Sequence, residues 1–195
     1  MQFRKILAAM IVFSFLSTLG LSLVAQAAPP TNSVVVQGKT GSVTLSLSNL
    51  TAMPVAQGIS SYQNRLGNWK AIGTYAGVNI SYLVGQVGGM VPGDTVTIYA
   101  SDGYNKTYSY NNVYDAWSNK SIQGPMILAY SFNGTVVPTW PGGLMVAFLP
   151  PDHAYSNVDC NATTTLDVKT SSAGSLWVGS VDKIVVNSAP WTVTL

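Results

Sequence analysis

Met126-Ile-Leu-Ala-Tyr-Ser-Phe-Asn-Gly-Thr-Val-Val137 decides the fold class of this chain. An apolar and aromatic run from Met126 to Phe132 stops at Asn133-Gly134, and β-branched residues resume at Thr135. A two-residue hairpin turn needs positive φ at both central positions, which Asn-Gly supplies at least cost. The stretch therefore predicts a β-hairpin. Leu144 to Leu149 is a continuous apolar run without alternation, as expected of a central strand buried on both faces.

Outward from this hairpin the same grammar repeats. Val34–Val36 and Val43–Leu47 read as strands around a Gly38–Gly41 turn, the second with period-two alternation. Thr95–Ala100 reads as a strand with Val96 and Ile98 inward, turned by Asp102-Gly103 toward Thr107–Tyr110. Between them Val78, Leu83, Val84 and Val87 fall on one helical face that Gly88-Gly89 ends, and a helical turn is expected near Val113–Trp117. Pro150 to Ser172 has loop composition. Ser175–Val178 and Val181–Val186 read as closing strands. Many strands with one or two helices predict a strand-rich α+β single domain over residues 34–187. Residues 188–195 form a tail in which Trp191–Leu195 has strand composition and no evident partner.

Charged residues make up 8% of the chain, and Glu is absent. Lys and Arg number nine and Asp seven, but Arg4 and Lys5 belong to the leading segment, so the rest is charge-balanced. Nucleic acid is excluded as a partner on this ground, because phosphate binding needs clustered cations. With 47% hydrophobic residues, ten Tyr and five Trp, the chain has ample material for a core.

Residues 1–27 have the form of a secretory signal: Arg4-Lys5, an apolar run from Ile6 to Val24, then Ala25-Gln26-Ala27. Cleavage after Ala27 is expected, with residues 28–33 as a linker. Uncut, the run is long enough to anchor the chain in a bilayer. Either way the domain is expected outside the cytoplasm, secreted or at the cell surface. A single cysteine, Cys160, precludes an internal disulfide and leaves a buried thiol or an intermolecular bridge as alternatives. Asn49, Asn79, Asn105, Asn119, Asn133 and Asn161 stand in Asn-x-Ser/Thr triplets, which makes a glycoprotein an expectation.

A set of short segments in fixed order carries a resemblance. These are Val36-Gln-Gly38, Leu45-Ser-Leu-Ser-Asn-Leu50 with Met53-Pro54, Tyr75-Ala-Gly77-Val78 with Leu83, Pro92-Gly93-Asp94 and Ser101-Asp102-Gly103-Tyr104. Leu128-Ala-Tyr130 with Asn133-Gly134, Leu149-Pro150, Leu176-Trp177-Val178 and Ile184-Val-Val186 complete it. From about Ser33 to Asn187 the chain resembles the sulfite-oxidase-type molybdopterin-binding domain. The resemblance implies a pterin cofactor whose molybdenum takes one protein thiolate. That cysteine would fall within Ile59-Ser-Ser-Tyr-Gln-Asn-Arg65, where Ser60, Ser61 and Tyr62 stand instead. Two cations of the family pattern correspond to Met145 and Leu176, while Trp177 remains. A soft thiolate and cations are what the metal and an anionic pterin phosphate require. The fold is therefore expected without a bound cofactor, molybdopterin being implied by the resemblance only.

Ligand-binding candidates follow from the same segment. Ser60, Ser61, Tyr62, Asn64, Arg65, Asn68 and Trp69 combine hydrogen-bonding and aromatic groups, and an Arg beside aromatics suits anion or sugar recognition. The alternative is a surface loop whose Trp69 enters the core. Asp102, which the resemblance places near a cofactor mouth, precedes a glycine and equally suits an Asx turn; Tyr104 and Trp177 join the candidates. Asn157, Asp159 and Asn161, with Asp152, space oxygens as calcium loops do, but Ala162 and Val168 stand where such loops carry Gly and Glu. His153 is the single histidine, so no multi-histidine metal site exists.

Three function classes fit. One is a non-catalytic extracytoplasmic domain that binds a ligand or cell-envelope component. Another is a molybdopterin-dependent oxidoreductase subunit with an atypical metal ligand. The last is a surface subunit that assembles by adding Trp191–Leu195 as a strand.

Overall fold

The computed structural model describes residues 30–114, 121–164 and 172–190. The leading segment, Asn119 and Trp191–Leu195 lie outside the described residues. Among the described residues no helix is long and apolar enough to cross a membrane.

Among the described residues two five-stranded sheets enclose one core. The first runs in the order β2 (Gly41–Ser46), β1 (Ser33–Gly38), β10 (Val181–Asn187), β5 (Thr95–Ala100), β6 (Asn105–Ser109). The pairing of β1 with β10 is parallel, so the start and end of the domain meet in mid-sheet. In the second sheet β3 (Val55–Gln63) pairs with β4 (Trp69–Asn79), and β4 with β7 (Met126–Phe132). The free edge of β7 is shared by β8 (Thr135–Val136) and β9 (Met145–Phe148). Alternation places Val34, Val36, Val96, Ile98 and Ile184 from the first sheet in the core, where they meet Tyr75, Val78 and the whole of β7. Asn133 and Gly134 have φ of 48° and 81°, and Phe132 faces Thr135, the register that a two-residue turn requires.

Short helices among the described residues cover the sheet ends: α1 (Leu47–Thr51), α2 (Ile80–Gly85), α3 (Tyr110–Tyr114) and α4 (Asn157–Thr163). Gly89, at φ 62°, donates to the Val84 carbonyl and closes α2 where the glycine pair predicts an end.

Several expectations are corrected. Ser33 belongs to β1, and Thr31 accepts a hydrogen bond from the Leu144 amide, so the end of the expected linker is part of the domain. Leu47 starts α1, because Ser46 and Asn49 form a reciprocal capping box that ends β2. Val78 is in β4 and helix begins at Ile80. The residue with which β6 was expected to end, Tyr110, opens α3, and the expected turn beyond Tyr114 lies outside the described residues. The central strand of its sheet is β7 rather than Leu144–Leu149. Pro150–Ser172 is no simple loop: Ser156 and Asp159 cap α4, and Tyr155, Cys160 and Thr163 are buried. Ser175–Val178 is not a strand, since Ala173–Leu176 forms a turn of 3-10 helix. The two longest strands, β3 and β4, carry too much Ser, Gly and Ala to show alternation.

Candidate functional site

Ser60 to Trp69 is the end of β3, a tight turn and the start of β4, rather than a loop. Both serine hydroxyls are turned inward. Ser60 Oγ donates to the Phe148 carbonyl at 2.6 Å, and Ser61 Oγ to the His153 carbonyl at 3.1 Å. Tyr62 lays its ring 5.0 Å from that of Trp177. The outer edge of β3 is then stitched to the following loop: Tyr155 N donates to Ser61 O, and Gln63 N to Tyr155 O.

An aromatic row runs through the core from this point. Trp177 lies 5.1 Å from Tyr75 and 6.4 Å from Phe148; Phe132 and Trp140 extend the row on one side, Tyr155 on the other. Burial pushes the Tyr75 hydroxyl well above the ordinary phenol range, with Tyr62 adding to the effect, so it stays a donor to Ala71 O at 2.8 Å. Trp177 Nε1 is buried and has no hydrogen-bond partner among the described residues. Tyr104 joins from the β5–β6 turn by donating to Ser175 O at 2.7 Å, while Asp102 accepts the Tyr104 amide in an Asx turn. The structure thus gathers Ser60, Ser61, Tyr62 and Trp177 into one packed unit with Tyr104 at its border.

Asn64, Arg65, Asn68 and Trp69 do not join it. Asn64 Oδ1 accepts the amides of Leu66 and Asn68 and holds the turn closed. Arg65 is exposed at the tip, and Trp69 is 41% exposed, so the alternative in which Trp69 enters the core is corrected. Asn157, expected only as a calcium ligand, instead locks the region: its Nδ2 donates to Asn64 O and its Oδ1 accepts the Ala173 amide.

The calcium spacing is also corrected, because Asn157, Asp159 and Asn161 lie on α4, where every second residue points elsewhere. Asp159 accepts the Ser156 amide and hydroxyl, and Asp152 accepts the Ala154 amide. Among the described residues no three His, Cys, Asp or Glu side chains group as a metal site. His153 is exposed at φ 67°. Cys160 is fully buried, and burial pushes its thiol up, so the buried-thiol alternative fits the structure.

These residues do not fit a pterin-held molybdenum. The segment in which the resemblance places the thiolate carries hydroxyls committed to backbone carbonyls, and the Tyr62 ring packs on Trp177 beside them. Met145 and Leu176, which the resemblance matches to the family's cations, have side chains that cannot pair with phosphate. Open space lies elsewhere. A cavity of about 510 Å³ is lined by Lys39, Val91–Asp94 and Ser188–Pro190, and one of about 350 Å³ lies between Ala56–Ile59 and Leu149–Pro151. Neither is lined by Ser60, Ser61, Tyr62 or Trp177.

The sequence matches no family profile and no curated protein. Among solved structures the chain is similar to the sulfane dehydrogenase SoxCD from Paracoccus pantotrophus, with a TM-score of 0.55 and 11% identity. The match covers 83% of this chain and 39% of that one, so this chain spans about two-fifths of its neighbour. The likeness shows the fold: a strand-rich α+β domain of sulfite-oxidase type.

Proposed function

We propose that this chain is a non-catalytic extracytoplasmic domain that uses the sulfite-oxidase-type fold as a scaffold for binding or for a place in the cell envelope. One observation carries the reading. The hydroxyls of Ser60 and Ser61, which stand where the resemblance puts a metal thiolate, are buried and bonded to Phe148 O and His153 O. Either serine, to ligate the metal, would have to give up its bond and leave the Phe148 or the His153 carbonyl without that donor. Export is supported by the cationic start, the apolar run and Ala25-Gln26-Ala27. Asn49, Asn105, Asn133 and Asn161 are exposed acceptors for a glycan.

The second reading is a molybdopterin-dependent oxidoreductase subunit with oxygen in place of the thiolate. It rests on the fold likeness to a sulfane dehydrogenase. Elemental analysis and pterin fluorescence on protein purified from its native envelope separate the two. The expected result is neither molybdenum nor tungsten nor pterin; stoichiometric metal with pterin would establish the second reading and end the first.

A further inference from the structure

Between β3 and β4 the chain turns at Asn64–Asn68, and this tip is apolar where a soluble surface would be polar. Leu66 is 83% exposed, Ile72 67%, Ile59 48% and Trp69 41%. Ile59 faces Thr74, two residues beyond Ile72, so alternation puts Ile59 and Ile72 on one face; past the register shift between Ser60 and Tyr62, Trp69 faces Gln63, and Leu66 stands at the apex. Arg65 and Lys70 flank the apex and are exposed. The first acidic residue of the whole chain is Asp94, and it pairs with Lys39. Among the described residues neither Arg65 nor Lys70 makes a salt bridge.

From this arrangement we infer that the β3–β4 tip docks on an anionic lipid surface, with Leu66 and Trp69 entering the headgroup boundary and Arg65 and Lys70 meeting phosphates. Apolar groups beside cations and a tryptophan are the side-chain set that such a boundary selects. Backbone is the usual obstacle, because unpaired amides cannot leave water. Here the turn pairs four of its amides internally. Asn64 N donates to Asn68 O, Gly67 N to Asn64 O, and Leu66 N and Asn68 N to Asn64 Oδ1. The apex is convex and carries cations on both sides of its apolar residues, whereas the buried centre of a protein interface is depleted of charge. The inference does not depend on whether the fold holds a cofactor.

The test uses the full chain with Leu66→Cys labelled by a polarity-sensitive dye, Cys160 being buried and out of reach of the reagent. A second label at Ser42→Cys, exposed on β2 in the other sheet, reports contact through that sheet. Vesicles of phosphatidylcholine alone are compared with an equal mixture of phosphatidylcholine and phosphatidylglycerol. A blue shift at position 66 with the mixture, absent at position 42 and reversed by salt, is the expected result. Arg65→Gln with Lys70→Gln is expected to weaken it about thirtyfold. No shift, or equal shifts at both labels, would overturn the inference. So would a shift without vesicles that grows with protein concentration, which would make the tip a contact between copies.

Discussion

Ser60 and Ser61 show how a polar residue becomes part of a core. Each hydroxyl reaches a carbonyl more than eighty residues away in sequence, one at the end of β9 and one in the loop before α4. A buried hydroxyl without a partner is costly, so the two bonds fix how β3 lies against both segments. Ser60→Ala leaves the Phe148 carbonyl without this donor and is expected to lower unfolding free energy by about 1–2 kcal/mol, read from urea denaturation. An unchanged midpoint would mean that the hydroxyl is dispensable. Ser60 and Ser61 were legible as candidates because they fill a position that the family pattern gives to cysteine. That both point at backbone rather than at a ligand was not legible, since the partners are chosen by β9 and the loop before α4.

At the scale of elements, glycines decide what alternation conceals. A side chain on Gly77 would collide with the Leu128 carbonyl oxygen across the β4–β7 pairing, which shifts register beside it. Gly77→Ala is expected to cost about 3 kcal/mol, measured as a fall in thermal midpoint. Helix α4 depends on chemistry that is visible in sequence once its frame is known: Ser156 and Asp159 cap each other's backbone. Ser156→Ala is expected to cost about 1 kcal/mol in chemical denaturation. Added calcium should leave the thermal midpoint unmoved, because Asp159 and Asn157 already hold other partners; a calcium-dependent rise would restore the oxygen-ligand reading. The hairpin at Asn133-Gly134 and the end of α2 at Gly88-Gly89 were readable because each depends on two residues only. Strands β3 and β4 were not, because their burial comes from cross-strand packing rather than from apolar composition.

In the whole molecule the ends of the domain are held together at Asp94. Burial works to raise this carboxyl, but the Lys39 ammonium at 2.6 Å and the amides of Val91 and Ala189 outweigh it and hold its pKa below the ordinary carboxylate range. A carboxyl whose folded pKa is depressed contributes stability that is complete above its unfolded value and lost as pH falls through the folded one. Stability from this site is therefore expected to be constant at neutral pH and to decline below about pH 4. Asp94→Asn should lower stability at neutral pH by roughly 2 kcal/mol and flatten the acid limb. Equal acid limbs in the two proteins would count against this assignment.

Taken alone, the sequence determined the fold class, the Asn133-Gly134 hairpin, the strand Thr95–Ala100 and the close of α2, because these rest on φ preferences and on neighbours a few residues apart. It also determined that no internal disulfide can form, since Cys160 is the single cysteine. Tertiary structure alone decided that β1 lies beside β10, that β7 is central, and that Ser60, Tyr62 and Trp177 pack into one unit. It likewise left Arg65, Leu66 and Trp69 outside. Those outcomes depend on which distant segments meet, and partners dozens of residues apart leave no period in the chain that names them.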